Sequence, residues 1–214
     1  MSTALKLRKQ RSKSLAASII ELVIIIAVAL GLALGIPAFI VKPYKIPSGS
    51  MEPTLSIGQR VLVNRLGMDF GGPSVGQIVV FHPPAGAETE QCGRSHAPGE
   101  ACPAPVEKKS NVNFIKRVVA GPGDEMFIKE GHVYRKAKGT SQFVKEKDSY
   151  IRNCAPGSDC SFVKPIKIPA GHWFMMGDNR GESDDSRFWG PVPTSWIIGE
   201  AFFTYWPINR IGPT

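Results

Sequence analysis

The sequence lacks the residue spacings that usually bind a metal ion. Its 214 residues include four histidines and four cysteines, but no C-x-x-C pair and no two histidines at the zinc-like interval H-x₃₋₅-H. This pattern argues against the common cysteine–histidine zinc sites. We therefore expect neither a metal ion nor another cofactor.

The net positive charge of the chain is concentrated at its N-terminus. Five lysines and arginines fall within the first fourteen residues, and the formal charge of +8 becomes +4 for the rest once these five and Glu21 are set aside. That remainder lacks the interleaved basic and aromatic residues that single-stranded nucleic acids require. We therefore expect no nucleic-acid partner, and we expect a phospholipid bilayer instead.

Charge is absent from one long stretch, "LVIIIAVALGLALGIPAFIV", residues 22–41. Twenty residues at about 1.5 Å each reach about 30 Å, the thickness of a bilayer's hydrocarbon core. Ala33-Leu34-Gly35 would suit cleavage of a signal peptide, but the run exceeds the usual apolar region of about 7–15 residues, which favours an anchor. By the positive-inside rule, we expect a single-pass protein of the cell membrane whose main domain lies on the outer face. Its expected parts are a basic cytoplasmic segment (1–14), a transmembrane anchor (15–41) and an extracytoplasmic domain (42–214).

The four cysteines allow three pairings. Cys92 and Cys102 flank a Pro/Gly-rich loop, whereas Cys154 and Cys160 flank "APGSD". Two local disulfides, Cys92–Cys102 and Cys154–Cys160, are the simplest arrangement and would suit an oxidising compartment outside the cell. The alternative is four unpaired thiols in surface loops.

The chain beyond residue 41 shows no convincing amphipathic helix and no internal repeat. Its apolar segments are rich in β-branched and aromatic residues and are separated by Gly and Pro. We expect antiparallel sheets curled into one mainly β, barrel-like domain. Residues 83–111 should form a solvent-exposed, cysteine-containing excursion between two strands. The predicted strands are residues 59–66, 77–82, 112–120, 125–136 (as a hairpin), 172–177 and 196–206.

Ser50, in "PSGSMEPTL" (47–55), is either a turn residue or a nucleophile. It follows residue 41 by nine positions, so it lies within about 30 Å of the anchor even in an extended chain. A nucleophilic serine needs a base. None of the four histidines has a context typical of a Ser-His-Asp triad, because they fall in a proline-rich loop, at a hairpin tip or at strand ends: His82, His96, His132 and His172.

Lys116, in "NFIKRVVAGPGD", is the other candidate base. A strand's period of two places it on the same face as Phe114 and Val118, although a charged residue on an edge strand is the ordinary interpretation. Removal from water, together with a neighbouring cation such as Arg117, would lower the pKa of this lysine by several units. A neutral Lys116 could take the Ser50 proton and return it to a leaving amine.

Three segments carry a resemblance to a known family. "PSGSMEPTL", "FIKRVVAGPGD" and "MGDNRGESDDSRFWGPV" occur in this order after an N-terminal anchor, with a fainter "GQIVVF" between the first two. Together they resemble bacterial type I signal peptidases, a family with a serine-lysine dyad, over nearly the whole chain from residue 22 onward. Any one of these segments alone would be weak evidence for the family, because such turns are common in proteins.

The resemblance implies a set of site residues. Ser50 matches the nucleophile and Lys116 the general base, and the Ser48 hydroxyl and the Ser50 backbone N–H would stabilise the oxyanion. Ser183 matches a serine that orients the lysine, while Asp178, Asp185 and Arg187 match supporting residues. Substrate-binding walls would come from Ile46, Met51, Phe114 and Ile115.

The implied substrates are signal peptides of exported preproteins, cut after small residues in an A-x-A-like pattern, with the secretion translocon as a functional partner. The extended substrate would lie against the sheet edge at residues 113–115. This chain departs from the family pattern at Gly181-Glu182 and at Gln77, and Asp184 occupies a position that is often small or apolar, next to the substrate. Two alternatives stay open: a specialised serine-lysine peptidase of a conjugation or pilus system, and a non-catalytic, membrane-anchored relative.

Overall fold

The computed structural model describes residues 15–66, 71–155 and 160–214, so the predicted basic segment 1–14 lies outside the described residues. The chain divides into two units, which meet in the sequence between Phe39 and Ile40. The first contains one long helix, and the second contains all the strands.

Helix α1 spans Leu15–Phe39. Its sequence is dominated by Ala, Leu and Ile, and the first two of these fit a helix with little loss of side-chain freedom. The stretch Leu15–Gly35 is long and apolar enough to cross a bilayer, and it is not covered by protein. The anchor was predicted to reach Val41, but Val41 begins the first strand, paired with Asn64.

The second unit is built from antiparallel strands in two sheets. The strands are β1 Val41–Lys45, β2 Arg60–Asn64, β3 Ile78–Phe81, β4 Phe114–Ala120, β5 Glu125–Lys129, β6 His132–Lys136, β7 Val144–Lys145, β8 Phe162–Lys167, β9 His172–Met176, β10 Val192–Pro193, β11 Ile197–Trp206 and β12 Gly212–Pro213. The larger sheet has the order β1-β2-β11-β3-β4-β9-β10, with β12 beside β11, and the smaller has the order β7-β6-β5-β8. Register shifts in β11 and β4 act as bulges, which bend the strands that carry them. The prediction of a mainly β domain with curled antiparallel sheets is confirmed.

The larger sheet is covered on both faces, as β3 shows. Ile78 and Val80 pack in one buried apolar cluster, while Val79 and Phe81 pack in another. Successive side chains of a strand point to opposite faces of the sheet. Because both faces are covered here, all four residues are buried and the sequence of the strand is an unbroken apolar run. A third cluster joins the end of β4 and β9 to the smaller sheet.

Both predicted disulfides are present. Cys92 and Cys102 are joined with a Cα–Cα distance of 5.8 Å, and Cys154 and Cys160 with 6.3 Å.

The segment 83–111 differs from the expected solvent-exposed excursion. It does connect β3 to β4, but Ala87, Ala101 and Cys102 are buried in it. The Cys102 backbone N–H donates to the carbonyl of Arg187 at 2.9 Å. Arg187 belongs to α2 (Ser186–Trp189), so this segment packs against the turn that carries the predicted ion pair.

Candidate active site

Ser50 lies in a short 3-10 turn, Gly49–Met51, between β1 and β2. Met51 and Leu55 are fully buried and fix this turn to the sheet, whereas Ser50 is 8% exposed. The Ser50 carbonyl accepts the backbone N–H of Asn179 at 3.0 Å. The Ser48 hydroxyl lies 3.4 Å from Ser50 Oγ, so both serines of "SGS" are at the same place.

Gly177 allows the third segment that carries the family resemblance to approach this turn. A Cβ added at Gly177 would lie 2.4 Å from the Ser50 carbonyl oxygen and 2.3 Å from Ser183 Oγ. Only glycine leaves room for both neighbours, because real Cβ atoms essentially never come within 3.0 Å of another heavy atom. Ser50 and Ser183 therefore both lie in contact distance of one backbone position.

Lys116 is on β4, opposite Val79 of β3, and is 4% exposed. Burial lowers its pKa from 10.5 to about 8, while the negative charges of Asp185 and Asp184 oppose that shift. The Lys116 ammonium lies 5.8 Å from the centre of the Phe114 ring.

The prediction that Arg117 is the cation that lowers the pKa of Lys116 is wrong. The cation that most lowers this pKa is Arg187, from a distant part of the chain, rather than Arg117. The reason is geometric, because adjacent residues of a strand point to opposite faces. Arg117 instead binds Asp178 and packs on the Tyr150 ring, 4.0 Å from its centre.

The start of β4 has a free edge. β3 pairs with β4 from Phe114 to Arg117, but β9 pairs with β4 only from Arg117 onward. Within the described strands, residues 114–116 therefore have a neighbour on one side only. Their other side holds backbone groups that an extended chain can pair with.

Ser50, Ser48 and Lys116 line one cavity of about 500 Å³. Three of the four expected wall residues also line it: Ile46, Phe114 and Ile115. Met51, the fourth, is fully buried in the core and is not part of the lining. The remaining lining residues are Tyr44, Lys45, Pro47, Val80, Asn113, Glu182 and Asp184.

Asp185 and Arg187 form a buried ion pair beside this cavity, and both are at most 1% exposed. Arg187 Nε donates to one carboxylate oxygen at 2.7 Å and Nη2 to the other at 2.9 Å. Burial raises the pKa of Asp185, but the charge and hydrogen bonds of Arg187 outweigh it, and the net pKa is lowered. Asp185 also accepts the Ser183 hydroxyl at 2.8 Å and the Gly177 N–H at 3.0 Å, so the ion pair holds both residues in place.

Asp178 connects the three segments that carry the resemblance. Its carboxylate accepts Arg117 Nε at 2.9 Å and Nη2 at 2.7 Å, and it accepts the Thr54 hydroxyl at 2.5 Å. Thr54 belongs to the Ser50 segment and Arg117 to the Lys116 strand. This fully buried carboxylate therefore links the nucleophile segment to the strand of the candidate base.

Two residues near the site could not be predicted from the sequence. Tyr150 packs on Arg117, and Arg152 binds Glu52 at 3.0 Å while its backbone N–H donates to the Asp178 carbonyl. Both come from a segment with no recognisable motif, and no sequence signal would have found them.

None of the four histidines, all within the described residues, lines the cavity that holds Ser50. His82 and His172 lie against backbone carbonyls, of Val112 and Ala170. His132 pairs with Asp148 at 2.8 Å. In the described part of the chain, a Ser50–histidine arrangement is therefore not formed.

Comparisons of the sequence with known proteins all point to the same family. A family model described as "Signal peptidase, peptidase S26" matches residues 19–206. "Probable signal peptidase I-1" of Synechocystis sp. is 35% identical over 189 residues, covering 88% of this chain and 83% of that protein. "Signal peptidase IB" of Staphylococcus aureus (strain COL) is 31% identical over 200 residues, covering 90% and 92%.

Among solved structures, a signal peptidase I from Enterococcus faecalis V583 matches 60% of this chain and 95% of its own, with 20% identity and a TM-score of 0.40. The family match spans most of the chain, and the curated relatives are more than 30% identical over most of their own lengths. The chain therefore belongs to the signal peptidase family, peptidase S26, and is a serine peptidase.

Proposed function

We propose that this protein is a membrane-anchored endopeptidase that removes N-terminal signal peptides from exported preproteins by Ser50–Lys116 catalysis. The observation that carries the proposal is the placement of Ser50 and a buried, pKa-lowered Lys116 in the lining of one cavity. The relatives named as signal peptidase I support the substrate class.

Lys116 acts as the general base. With a pKa of about 8, about a tenth of the molecules hold a neutral amine at pH 7, against about one in 2,500 for an ordinary lysine. The gain comes from burial, which disfavours the ammonium form. Ser183, beside Gly177, orients the amine, and the Asp185–Arg187 pair and Asp178 hold the surrounding backbone.

The reaction proceeds in two steps. Lys116 takes the Ser50 hydroxyl proton as Oγ attacks the scissile carbonyl, and then gives that proton to the leaving amine, which leaves an ester on Ser50. A water molecule, deprotonated by Lys116, hydrolyses the ester and restores the serine. The Ser48 hydroxyl and the Ser50 backbone N–H donate to the oxyanion that forms in each step.

The substrate binds as an extended strand along the free edge of β4, residues 114–116. Edge pairing supplies hydrogen bonds to the peptide backbone, and the cavity walls then select side chains by shape. Ile46, Phe114 and Ile115 form an apolar wall close to Ser50, which favours small residues in the A-x-A-like pattern before the cut.

Helix α1 anchors the enzyme in the cell membrane, with the N-terminus in the cytoplasm and the β domain on the outer face. The first strand begins at Val41, directly after the helix, so the catalytic turn is tethered close to the bilayer. Preproteins delivered by the secretion translocon would arrive with their apolar segments in the same bilayer.

Ser50→Ala tests the proposal. The change removes one oxygen from a turn and should abolish cleavage of a preprotein by the detergent-solubilised protein, with unchanged thermal unfolding. Ser74→Ala, at an exposed serine outside the cavity, is the matched control and should keep full activity.

Retained turnover by purified Ser50→Ala would refute the serine mechanism. Cleavage of unrelated preproteins by the wild-type protein supports general signal-peptide removal, whereas cleavage of one dedicated substrate alone would favour a specialised peptidase.

A further inference from the structure

The cavity wall after β9 carries two carboxylates that the proposed mechanism does not use. Along residues 182–185 the side chains alternate: Ser183 and Asp185 are buried, whereas Glu182 and Asp184 are exposed and line the cavity. The buried pair builds the catalytic support, so the exposed pair faces the space that the substrate occupies.

These two carboxylates differ in their partners. Glu182 accepts a hydrogen bond from the Asn179 side chain at 3.1 Å, and the same amide reaches the Gly49 carbonyl, next to Ser50. Within the described residues, Asp184 has no hydrogen bond and no salt bridge. Asp184 is nevertheless close enough to oppose the lowered pKa of Lys116, which places its charge at the Lys116 side of the cavity.

The basic residues of the lining, Lys45 and Lys116, lie on other elements. Lys45 belongs to β1, whereas Glu182 and Asp184 belong to the turn after β9, and Tyr44, Ile46 and Val80 are among the apolar lining residues. The cavity therefore has a negative wall beside Lys116. In a partly enclosed space, a charge pair is stronger than on open surface, because water screens it less.

We propose that Glu182 and Asp184 make this enzyme favour substrates that carry a lysine or arginine side chain close to the scissile bond. This inference rests on the proposed function and names a selectivity of the same site. The ammonium or guanidinium group of the substrate pairs with Asp184, whose carboxylate has no partner of its own, and more weakly with Glu182, which Asn179 already engages.

A series of signal-peptide substrates tests this selectivity. Each peptide has alanine at the first and third positions before the cut and one lysine, placed in turn at the second and fourth positions before the cut and at the first two positions after it. Its partner peptide has Nε-acetyl-lysine at the same position, which keeps the aliphatic stem of the side chain and removes the charge. The readout is the ratio of kcat/KM for the two peptides of each pair, so effects common to both cancel.

For the wild-type protein, the lysine peptide should be cleaved about three- to fivefold more efficiently at one or more positions, as for an ion pair open to water on one side. Asp184→Asn should bring the ratio to about one, and Glu182→Gln should lower it less. Glu88→Gln removes one negative charge at an exposed residue outside the cavity and should leave the ratio unchanged. High salt should reduce the wild-type ratio, because it screens exposed charges.

Equal cleavage of the paired peptides at every position would overturn the inference while leaving the proposed function intact. A lysine preference that persists in both Asp184→Asn and Glu182→Gln would also overturn the inference. Failure of the wild-type protein to cut either peptide of any pair would contradict the proposed function, and the inference with it.

Discussion

Replacing Gly177 with alanine tests whether Ser50, Ser183 and Gly177 must touch. The new Cβ would lie 2.4 Å from the Ser50 carbonyl oxygen, about 1 Å inside the 3.4 Å at which ordinary van der Waals contact begins. Both neighbours in the way are held: the Ser50 carbonyl accepts the Asn179 N–H, and the Ser183 hydroxyl binds Asp185. The site must therefore open by about an ångström.

Overpacking of this kind costs about 1–3 kcal/mol of unfolding free energy. For a domain of this size, that cost corresponds to a fall in Tm of roughly 2–12 °C. A displacement of about 1 Å at a reacting group costs about 10²-fold in rate. Gly177→Ala should therefore lower kcat far more than its folded fraction explains.

Gly181→Ala is the matched control in the same turn, since a Cβ there meets nothing closer than 3.5 Å and the residue is exposed. It should keep both Tm and turnover. The assay compares thermal unfolding with cleavage of a preprotein for both variants below their Tm. Wild-type turnover by Gly177→Ala would refute the contact geometry on which the site is built.

Further predictions concern the ion pair, its pH dependence and the disulfides. Asp185→Asn should destabilise the domain by about 3–5 kcal/mol, because it leaves the buried Arg187 guanidinium without its charge partner; a denaturant midpoint equal to that of the wild type would contradict this. Because folding lowers the pKa of Asp185, the stability it contributes is present above its unfolded value of about 3.9 and is lost as the pH falls through the lower, folded value. Acid titration of unfolding should therefore show a drop below about pH 4 that is smaller in Asp185→Asn, and an equal drop in both proteins would count against the pairing. Peptide mapping without reductant should find Cys92–Cys102 and Cys154–Cys160, and a cross-link between the two loops would show the pairing to be wrong.

The central strands could be predicted from the sequence because their apolar residues are contiguous and bounded by Gly or Pro. Five strands were missed: β1, β7, β8, β10 and β12. Two of them were missed for a physical reason, because "VKPYK" of β1 and "FVKPIK" of β8 each contain two lysines and a proline, which a strand tolerates only at an edge. The short helix α2 was missed because its first turn is set by Asp185, whose side chain accepts the Arg187 N–H, and not by an apolar period.

The candidate site was predicted mainly from motif order, and the structure places most of its residues together. The wrong predictions concern the direction in which a side chain points. Arg117 is adjacent to Lys116 in the sequence but points to the other face of the strand, and Met51 is adjacent to Ser50 but packs in the core. Sequence shows which residues are neighbours along the chain, whereas the face that each one occupies depends on long-range pairing, such as that of Arg117 with Asp178.

Lys116→Arg tests the general-base claim most directly. Guanidinium keeps the positive charge but stays protonated at any working pH, so it cannot accept the Ser50 proton. The decisive measurement is the rate of preprotein cleavage by Lys116→Arg, beside a His82→Gln, His172→Gln double variant, with thermal unfolding to verify that each is folded. We predict no turnover by Lys116→Arg, most of the activity in the double variant, and a wild-type rate that rises with pH through about 8 as the lysine loses its proton. Cleavage by folded Lys116→Arg together with an inactive histidine double variant would contradict the role of Lys116 as the base.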